Sequence, residues 1–321
     1  MAQILTVAAA LLLAWSLTCL LDVEQRVITA AATLSPAITV LAVPIVALGV
    51  GRRRPIPAAL AILAAALPWV LVAGYAAAGP GTTIAAGRPT LRIMTVDAAG
   101  GAAEAADVAA VSRSAGVDVL VVTGLSGVFA HDLTVAGLNG MVAQQVVTGG
   151  SDGAGNDTAK GTGGGIGIWS KATMSDVADL PGFGMPTVRG VLPAGSRRVG
   201  VVAAQIGGSP LALADNWSTD LARLPGAAPA VEDRVIVGDL GATPWHPAFR
   251  RLASHGWHDA ADIVGRGLRP TWPAWSPMPI APVDHVLVSD GLGVSSVETA
   301  TVEGARNRAL IVTVVLPANR D

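Results

Sequence analysis

The stretch Arg234-Val-Ile-Val-Gly-Asp-Leu-Gly-Ala-Thr-Pro244 is the most informative part of this chain about its fold. Its β-branched residues predict a buried strand, and Gly238 and Asp239 follow where that strand ends. Val283-Asp-His-Val-Leu-Val288 has a related form, with Asp284 at the start of an apolar run. The simplest interpretation of both aspartates is structural, since aspartate is common in turns and at strand boundaries.

The remainder of the chain beyond residue 90 predicts strands interrupted by helices. Strands are predicted at Leu91–Val96, Val117–Val122, Met141–Val147, Gly164–Trp169, Val199–Ile206, Arg234–Gly238, His285–Ser289 and Leu310–Leu316. Helices are predicted at Ala102–Ser114, Ala212–Leu224 and His246–His255. Hairpins between some strands and helical crossovers between others indicate an α/β domain of packed sheets flanked by helices.

The first 78 residues are far more apolar than the rest. The whole chain has 51% hydrophobic and 14% charged residues and a mean hydropathy of +0.55, which is too apolar for an ordinary soluble domain. Uncharged runs occupy Ile4–Leu21, Val27–Val50 and Ile56–Ala78. Each meets or approaches the roughly 20 apolar residues that cross a bilayer, which predicts a three-helix transmembrane anchor at 1–78. A cleaved signal peptide is the alternative for the first run. Kinks are predicted at Pro36, Pro44 and Pro68.

The loops between these runs predict the orientation of the anchor. The loop Gly51–Pro55 contains three arginines, whereas Asp22–Arg26 contains one. Because basic loops stay in the cytoplasm, the N-terminus is expected there and the C-terminal part outside it. The chain is therefore expected to be a multi-pass protein of the plasma membrane, with a linker at 79–90 and one extracytoplasmic domain at 91–321.

Metal sites built from sulfur or imidazole have little support in the sequence. The single cysteine, Cys19, lies in the first apolar run, so neither an intrachain disulfide nor a thiolate metal cluster is expected. His246, His255 and His258 lack the further cysteine or carboxylate that would complete a zinc site. They are expected on a helix surface around a local turn.

The charge of the chain beyond residue 79 bears on its partners. Acidic side chains outnumber basic ones there and no Lys/Arg cluster occurs, which argues against a nucleic-acid partner. Five tryptophans are expected to fill the core or its rim rather than stack on bases: Trp217, Trp245, Trp257, Trp272 and Trp275. The expected partners are the membrane, an envelope protein, or a phosphorylated small-molecule or lipid ligand.

Several segments resemble one known family. Gly238–Pro244 looks like its Gly-Asp-Phe-Asn followed by Ala-Thr-Pro, and Val283–Val288 looks like its Ile-Asp-His-Val-Leu-Val. Gly304–Leu310 stands where its Ser-Asp-His-Arg-Pro-Leu would fall. In order and spacing, Leu91–Leu316 is similar to the endonuclease/exonuclease/phosphatase family. The resemblance implies three transmembrane helices followed by a DNase I-like four-layer α/β sandwich, and the family's metal-assisted hydrolysis of phosphoesters.

Most catalytic positions of the family are replaced. The motif positions that keep a carboxylate are Asp97, Asp239 and Asp284. At the other motif positions this chain has a different residue from the family: Thr123 in place of Gln, Gly124 in place of the metal-binding Glu, Gln205 in place of His, Gly241 in place of Asn, and Arg306 and Asn307 in place of the final Asp-His pair. A glycine cannot hold a metal ion, and an asparagine cannot take a proton near neutral pH.

Arg306, together with these replacements, points to the loss of the metal ion. A guanidinium at a former carboxylate position would repel a divalent cation and pair with Asp97, Asp239 or Asp284. The resemblance with these replacements therefore predicts no metal cofactor and a catalytically inactive member that acts as a binding or scaffold domain. The alternative is a divergent phosphodiesterase or phosphatase in which Asp97 and Asp239 bind Mg²⁺ or Mn²⁺.

Overall fold

The computed structural model describes residues 2–77, 88–138, 140–147, 164–206, 208, 211, 216–265 and 267–318. Most of the predicted linker at 79–90 lies outside the described residues, as do the first residues of the helix predicted at Ala212–Leu224.

Three apolar helices of the N-terminal segment pack against one another. The segment contains α1 (Ala2–Leu17), α2 (Arg26–Thr33), α3 (Pro36–Gly51) and α4 (Pro55–Leu71). Small and aliphatic residues of α1, α3 and α4 form the shared interior: Ala9, Leu12, Ile38, Ala42, Ala61 and Ala64. The outward faces of these helices carry exposed valine, leucine and isoleucine side chains. The bundle is therefore apolar both inside and outside.

The prediction of three transmembrane helices is corrected by the helix lengths. Among the described residues, one continuous helical stretch, Ala2–Leu20, is long and apolar enough to cross a membrane. The second run is divided into α2 and α3, which meet at 71° and would count as one broken span. The break falls at Pro36, which begins α3 because it has no N–H for the helix preceding it. The third run forms α4, a shorter apolar helix of 17 residues.

The described residues between 90 and 315 form two six-stranded sheets packed face to face. The first sheet contains, in spatial order, β11 (Gly293–Ala300), β12 (Ala309–Val315), β1 (Thr90–Asp97), β2 (Val119–Leu125), β4 (Gly165–Ser170) and β3 (Val142–Val147). The second contains β5 (Ser175–Asp179), β6 (Thr187–Ala194), β7 (Arg197–Gln205), β8 (Asp233–Asp239), β10 (Asp284–Ser289) and β9 (Trp257–Asp259). The pairs β1–β2 and β7–β8 are parallel and the other pairs are antiparallel.

Helices cover the outer face of each sheet. The first sheet packs against α5 (Ala105–Ser114) and α6 (Gly127–Ala136). The second packs against α7 (Trp217–Ala227) and α8 (Pro247–Leu252), while the short α9 (Ala260–Val264) contributes to the core between the sheets. The prediction of an α/β domain with two packed sheets flanked by helices is confirmed.

Four strands were not predicted, because their sequences show little of the apolar alternation that is typical of a strand. β5 and β9 are short, β6 contains Gly190 and Pro193, and β11 alternates small polar residues with valine at a sheet edge. Glycine and proline lower strand propensity, and edge strands need less apolar surface. Helices α6 and α9 were also not predicted.

The ends of the N-terminal helices dock onto the second sheet's side of the domain. Trp245 Nε1 donates to Pro68 O (3.1 Å), and Arg250 Nη2 donates to Cys19 O (2.8 Å). The backbone N–H of Ser218 donates to Glu24 Oε1 (2.9 Å). At 1.5 Å per residue, α4 places Arg54, in the α3–α4 loop, about 20 Å from the contact at Pro68.

His246 is part of this contact, which corrects its expected place on a helix surface. It is buried; Thr243 N donates to Nδ1 (2.9 Å), so Nε2 carries the proton and donates to Thr29 O (3.0 Å). Burial lowers the pKa of His246 to about 4. A neutral imidazole therefore links the domain to α2, whereas His255 and His258 are exposed as expected.

Candidate functional site

The candidate site lies at one end of the space between the two sheets. Side chains alternate along a strand, so residues spaced by two share the inward face with the core valines and isoleucines. At this end, the inward-facing residues are polar: Asp97 on β1, Thr123 on β2, Gln205 on β7, Asp239 on β8 and Asp284 on β10. The strand pairing brings them together, since Asp97 pairs with Thr123, and Asp239 pairs with both Gln205 and Asp284.

The three aspartates form a carboxylate cluster, Asp97, Asp239 and Asp284, that is almost fully buried. Burial raises the pKa of Asp284 to about 7 and raises the pKa of Asp97. Burial, and then the charges of Asp284 and Asp97, raise the pKa of Asp239 well above its ordinary value. Like charges in a buried site disfavour one another's ionisation, so the cluster retains protons at pH values where exposed aspartates are charged.

Arg306 supplies a positive charge to the cluster. Its Nε lies 3.5 Å from Asp97 Oδ2, and its backbone N–H donates to Asp97 O (3.2 Å). The side chain is 23% exposed, whereas that of Asp97 is fully buried. Its charge lowers the pKa values of Asp97 and Asp239, against the larger effect of burial. A cation that approached Asp97 would therefore meet the positive charge of Arg306.

Asn307 and Gly241 stabilise Asp239 with neutral donors. Asn307 Nδ2 donates to Asp239 Oδ2 (3.2 Å), and the backbone N–H of Gly241 donates to Asp239 Oδ1 (2.9 Å). Asn307 is fully buried. Among the described residues, neither side-chain oxygen of Asp284 has a hydrogen-bond partner. The arrangement binds Asp239 in place and leaves no proton-accepting side chain at position 307.

Gly124 stands where the family has its metal-binding glutamate, and the space around it does not admit a larger side chain. Its φ is +59°, and its N–H donates to Gln205 Oε1 (3.0 Å). A Cβ at this position would overlap Asp97 Oδ1 and lie 3.1 Å from Ala99 N. A glutamate could not be placed here unless Asp97 moved and the backbone changed conformation.

Replacing Gly124 by alanine is expected to lower the free energy of unfolding by about 1–3 kcal/mol, since left-handed backbone and a steric overlap are both imposed. Gly116→Ala is the matched control, because Gly116 has a φ of +63° and open space around its missing Cβ. Urea unfolding followed by tryptophan fluorescence measures both. Equal losses in the two variants would contradict the steric closure at Gly124.

The residues of the cluster do not fit a divalent metal ion. Within the described parts of the chain, no group of three or more His, Cys, Asp or Glu residues is arranged to hold one. Asp97 Oδ2 and both oxygens of Asp284 are buried without hydrogen bonds, as metal ligands would be. However, the guanidinium of Arg306 lies against Asp97, and Mg²⁺ requires ionised oxygen ligands, which the raised pKa values oppose.

Sequence reasoning missed a second buried polar group beside the cluster. Tyr75 OH donates to Asp259 Oδ2 (2.8 Å), and His285 Nδ1 lies 3.0 Å from the same oxygen. His285 Nε2 lies 3.0 Å from Ala242 O, so both ring nitrogens face acceptors. Burial alone would lower the pKa of His285, but Asp259 and Ala242 O raise it above its ordinary value. His285 next to Asp284 was the available signal, but its partners come from distant segments.

The sequence matches the model of the Endonuclease/Exonuclease/phosphatase family over residues 94–311. This range includes part or all of every strand in both sheets and every residue of the carboxylate cluster, and the chain belongs to that family. A sequence comparison with curated proteins found no match.

Solved structures share the fold at low sequence identity. Humanized TDP2 of D. rerio is 11% identical, with a TM-score of 0.54 over 70% of this chain and 98% of that chain. A family protein from Bacteroides thetaiotaomicron is 12% identical, with a TM-score of 0.52 over 72% of this chain and 99% of that chain. One from Beutenbergia cavernae is 18% identical, with a TM-score of 0.50 and 72% of each chain covered. At these identities, the likeness concerns the fold alone.

Proposed function

We propose that this chain is a membrane-anchored member of the endonuclease/exonuclease/phosphatase family that has exchanged metal-dependent catalysis for a binding or scaffolding role. Its ligand in this proposal is an envelope protein, or a phosphorylated small molecule or lipid, at the extracytoplasmic surface. Fold and family do not by themselves imply activity, so the proposal rests on the site.

The observation that carries the proposal is Arg306 against Asp97, in place of a metal ion. The guanidinium lies 3.5 Å from the carboxylate, and Gly124 leaves no room for the missing glutamate. A metal-dependent phosphoesterase needs ionised ligands, an open coordination position and a group that stabilises the phosphoryl oxygens. Here burial raises the pKa values of the carboxylates, Arg306 lies against Asp97, and Asn307 is hydrogen-bonded to Asp239.

The membrane part of the proposal is supported by the bundle of α1, α3 and α4. Its outer surface carries exposed aliphatic residues, such as Val40, Val43 and Ile62, which would be unfavourable in water over so large an area. The ends of α1 and α4 contact the domain, while Arg52, Arg53 and Arg54 lie at the opposite end. This arrangement supports a multi-pass topology with the arginines in the cytoplasm, the N-terminus beside them and the domain outside.

The proposal is tested by hydrolysis and metal titration with the purified full-length protein in lipid nanodiscs. We expect no hydrolysis of a generic phosphodiester or phosphomonoester, with Mg²⁺ or Mn²⁺, above the rate of Asp239→Ala. We also expect calorimetry to show no saturable binding of either ion. The physical reason is that the charge of Arg306 and the raised pKa values of the buried carboxylates oppose binding of a cation.

Two results would contradict this expectation. Activity that depends on metal and disappears in Asp239→Ala would establish the alternative, a divergent phosphodiesterase or phosphatase using Asp97 and Asp239. A saturable Mn²⁺ site that is unchanged in Arg306→Ala would show that the guanidinium does not take the place of the metal.

A further inference from the structure

A loop at the edge of the candidate site presents large apolar side chains to solvent. Its two ends are joined by a bridge between Trp272 and Ala281. Between them lies the segment 273–280, here named the apolar tip, in which Trp275 is 86% exposed and Met278 78% exposed. Trp275 was expected to fill the core or its rim, and the structure corrects that expectation.

The apolar tip is held in this conformation by hydrogen bonds. Ser276 Oγ donates to Met278 O (2.9 Å), and Ala274 N donates to Arg306 O (3.0 Å). Arg308 Nη2 donates to the carbonyl oxygens of Ser276 (3.0 Å) and Pro277 (3.1 Å). The backbone therefore fixes Trp275 and Met278 in an outward position, where they gain nothing from contact with water.

The segment leading into the apolar tip begins at the end of the anchor. The backbone N–H of Gly267 donates to Tyr75 O, just after α4, and Leu268 packs in the same cluster as Val72 and Tyr75. Gly267 and Trp275 are eight positions apart, and a fully extended chain of that length reaches at most about 29 Å. The apolar tip is thus tied by a short segment to the end of the anchor.

We propose that the apolar tip inserts into the lipid interface of the bilayer that holds the N-terminal anchor. Trp275 and Met278 enter the region below the headgroups, where tryptophan is favoured because its ring is apolar and its N–H reaches polar groups. Arg306 and Arg308, at the base of the tip, place positive charge near the level of lipid phosphates. This inference rests on the proposed membrane anchoring of the chain.

Two features of the chain favour a lipid surface over a protein partner as the binding target of the apolar tip. The entry to the tip is hydrogen-bonded to the residue that ends the anchor, so the lipid surface is close without any further molecule. The exposed pair also consists of a tryptophan and a methionine, side chains that adapt to an irregular apolar environment. The insertion would turn the edge of the candidate site toward the membrane.

The test uses an environment-sensitive fluorophore on a single cysteine in the full-length protein. Cys19→Ala removes the native thiol, and Met278→Cys then carries the label in liposomes with a nitroxide attached near the lipid headgroup. We expect roughly twofold quenching and a blue shift, because an interfacial label lies within reach of that nitroxide. Trp275→Cys provides a second labelling site on the tip.

Two control positions separate the outcomes. Val135→Cys places the label on α6, where the side chain is 73% exposed but lies on the outer face of the first sheet, and we expect no quenching. Val43→Cys, on α3 and 62% exposed, reports the anchoring itself and should be quenched by a nitroxide deeper in the acyl chains.

Each contrary result has a distinct meaning. Quenching at position 43 with none at positions 275 and 278 would overturn the insertion of the tip and leave the anchoring intact. A blue shift at position 278 without lipid quenching would assign the tip to a protein contact and also overturn the proposal. If position 43 is not quenched, the membrane anchoring in the proposed function fails, and the insertion fails with it.

Discussion

Arg306→Ala is expected to lower the free energy of unfolding by about 2 kcal/mol. Removing one partner of a buried ion pair typically costs roughly 3–5 kcal/mol, because the remaining charge is left without compensation. The effect should be smaller here, because the side chain of Arg306 is 23% exposed and the carboxylates can take up protons instead. Urea unfolding at neutral pH, followed by tryptophan fluorescence, measures the difference.

Two further variants identify the cause. Asp97→Asn in the Arg306→Ala background should recover much of the lost stability, because it removes a charge that the arginine no longer balances. Arg198→Ala removes an exposed arginine that pairs with Asp176 at the surface (3.2 Å), and it should be nearly neutral. If Asp97→Asn gives no recovery, the contribution of Arg306 is packing rather than charge.

Stability is also expected to fall as the pH rises from about 4 to about 7. The pKa of Asp284 is about 7 in the folded protein, whereas its ordinary value, which applies to the unfolded chain, is 3.8. Between these values, the unfolded chain has released a proton that the folded chain still holds, so raising the pH favours unfolding. One such group contributes up to about 1.4 kcal/mol for each pH unit, and Asp97 and Asp239 act in the same direction.

The measurement is the difference between the parent protein and Asp284→Asn. His246 acts in the opposite direction between about 4 and 6.5, because burial lowers its pKa, and this contribution cancels in the difference. The variant should lose stability less steeply with pH and be more stable than the parent near pH 8. Asp176→Asn, at an exposed position, should leave the slope unchanged; a parallel profile for Asp284→Asn would show that its carboxyl titrates normally.

The part of the site that could be predicted from the sequence is the part whose position follows from the alternation of side chains along the strands. Asp97, Asp239 and Asp284 stand beside apolar runs that are recognisable without the structure, and the alternation of side chains then places them on the inward faces. The closure at Gly124 could not be predicted in the same way. It depends on a positive φ and on the carboxylate of Asp97, which is brought there by the pairing of β1 with β2.

The contacts of the N-terminal helices were also beyond prediction. His246 reads as a surface residue because its neighbours along the chain, Trp245 and Pro247, do not reveal that Thr29 lies opposite. Hydrophobicity located the helical segment but could not separate α2 from α3, and the division falls at Pro36, one of the prolines at which a kink was predicted. Proline backbone geometry, rather than apolar length, determined where that run divides.

The contact between the helices and the domain has a practical consequence for the isolated domain. Trp245 and Ala261 are buried in a cluster completed by Cys19, Ala32, Val72 and Tyr75. A domain released at residue 78 would expose this patch and lose the acceptor that Pro68 provides to Trp245. It would therefore tend to self-associate, and the N-terminal segment serves the solubility of the domain as well as its location.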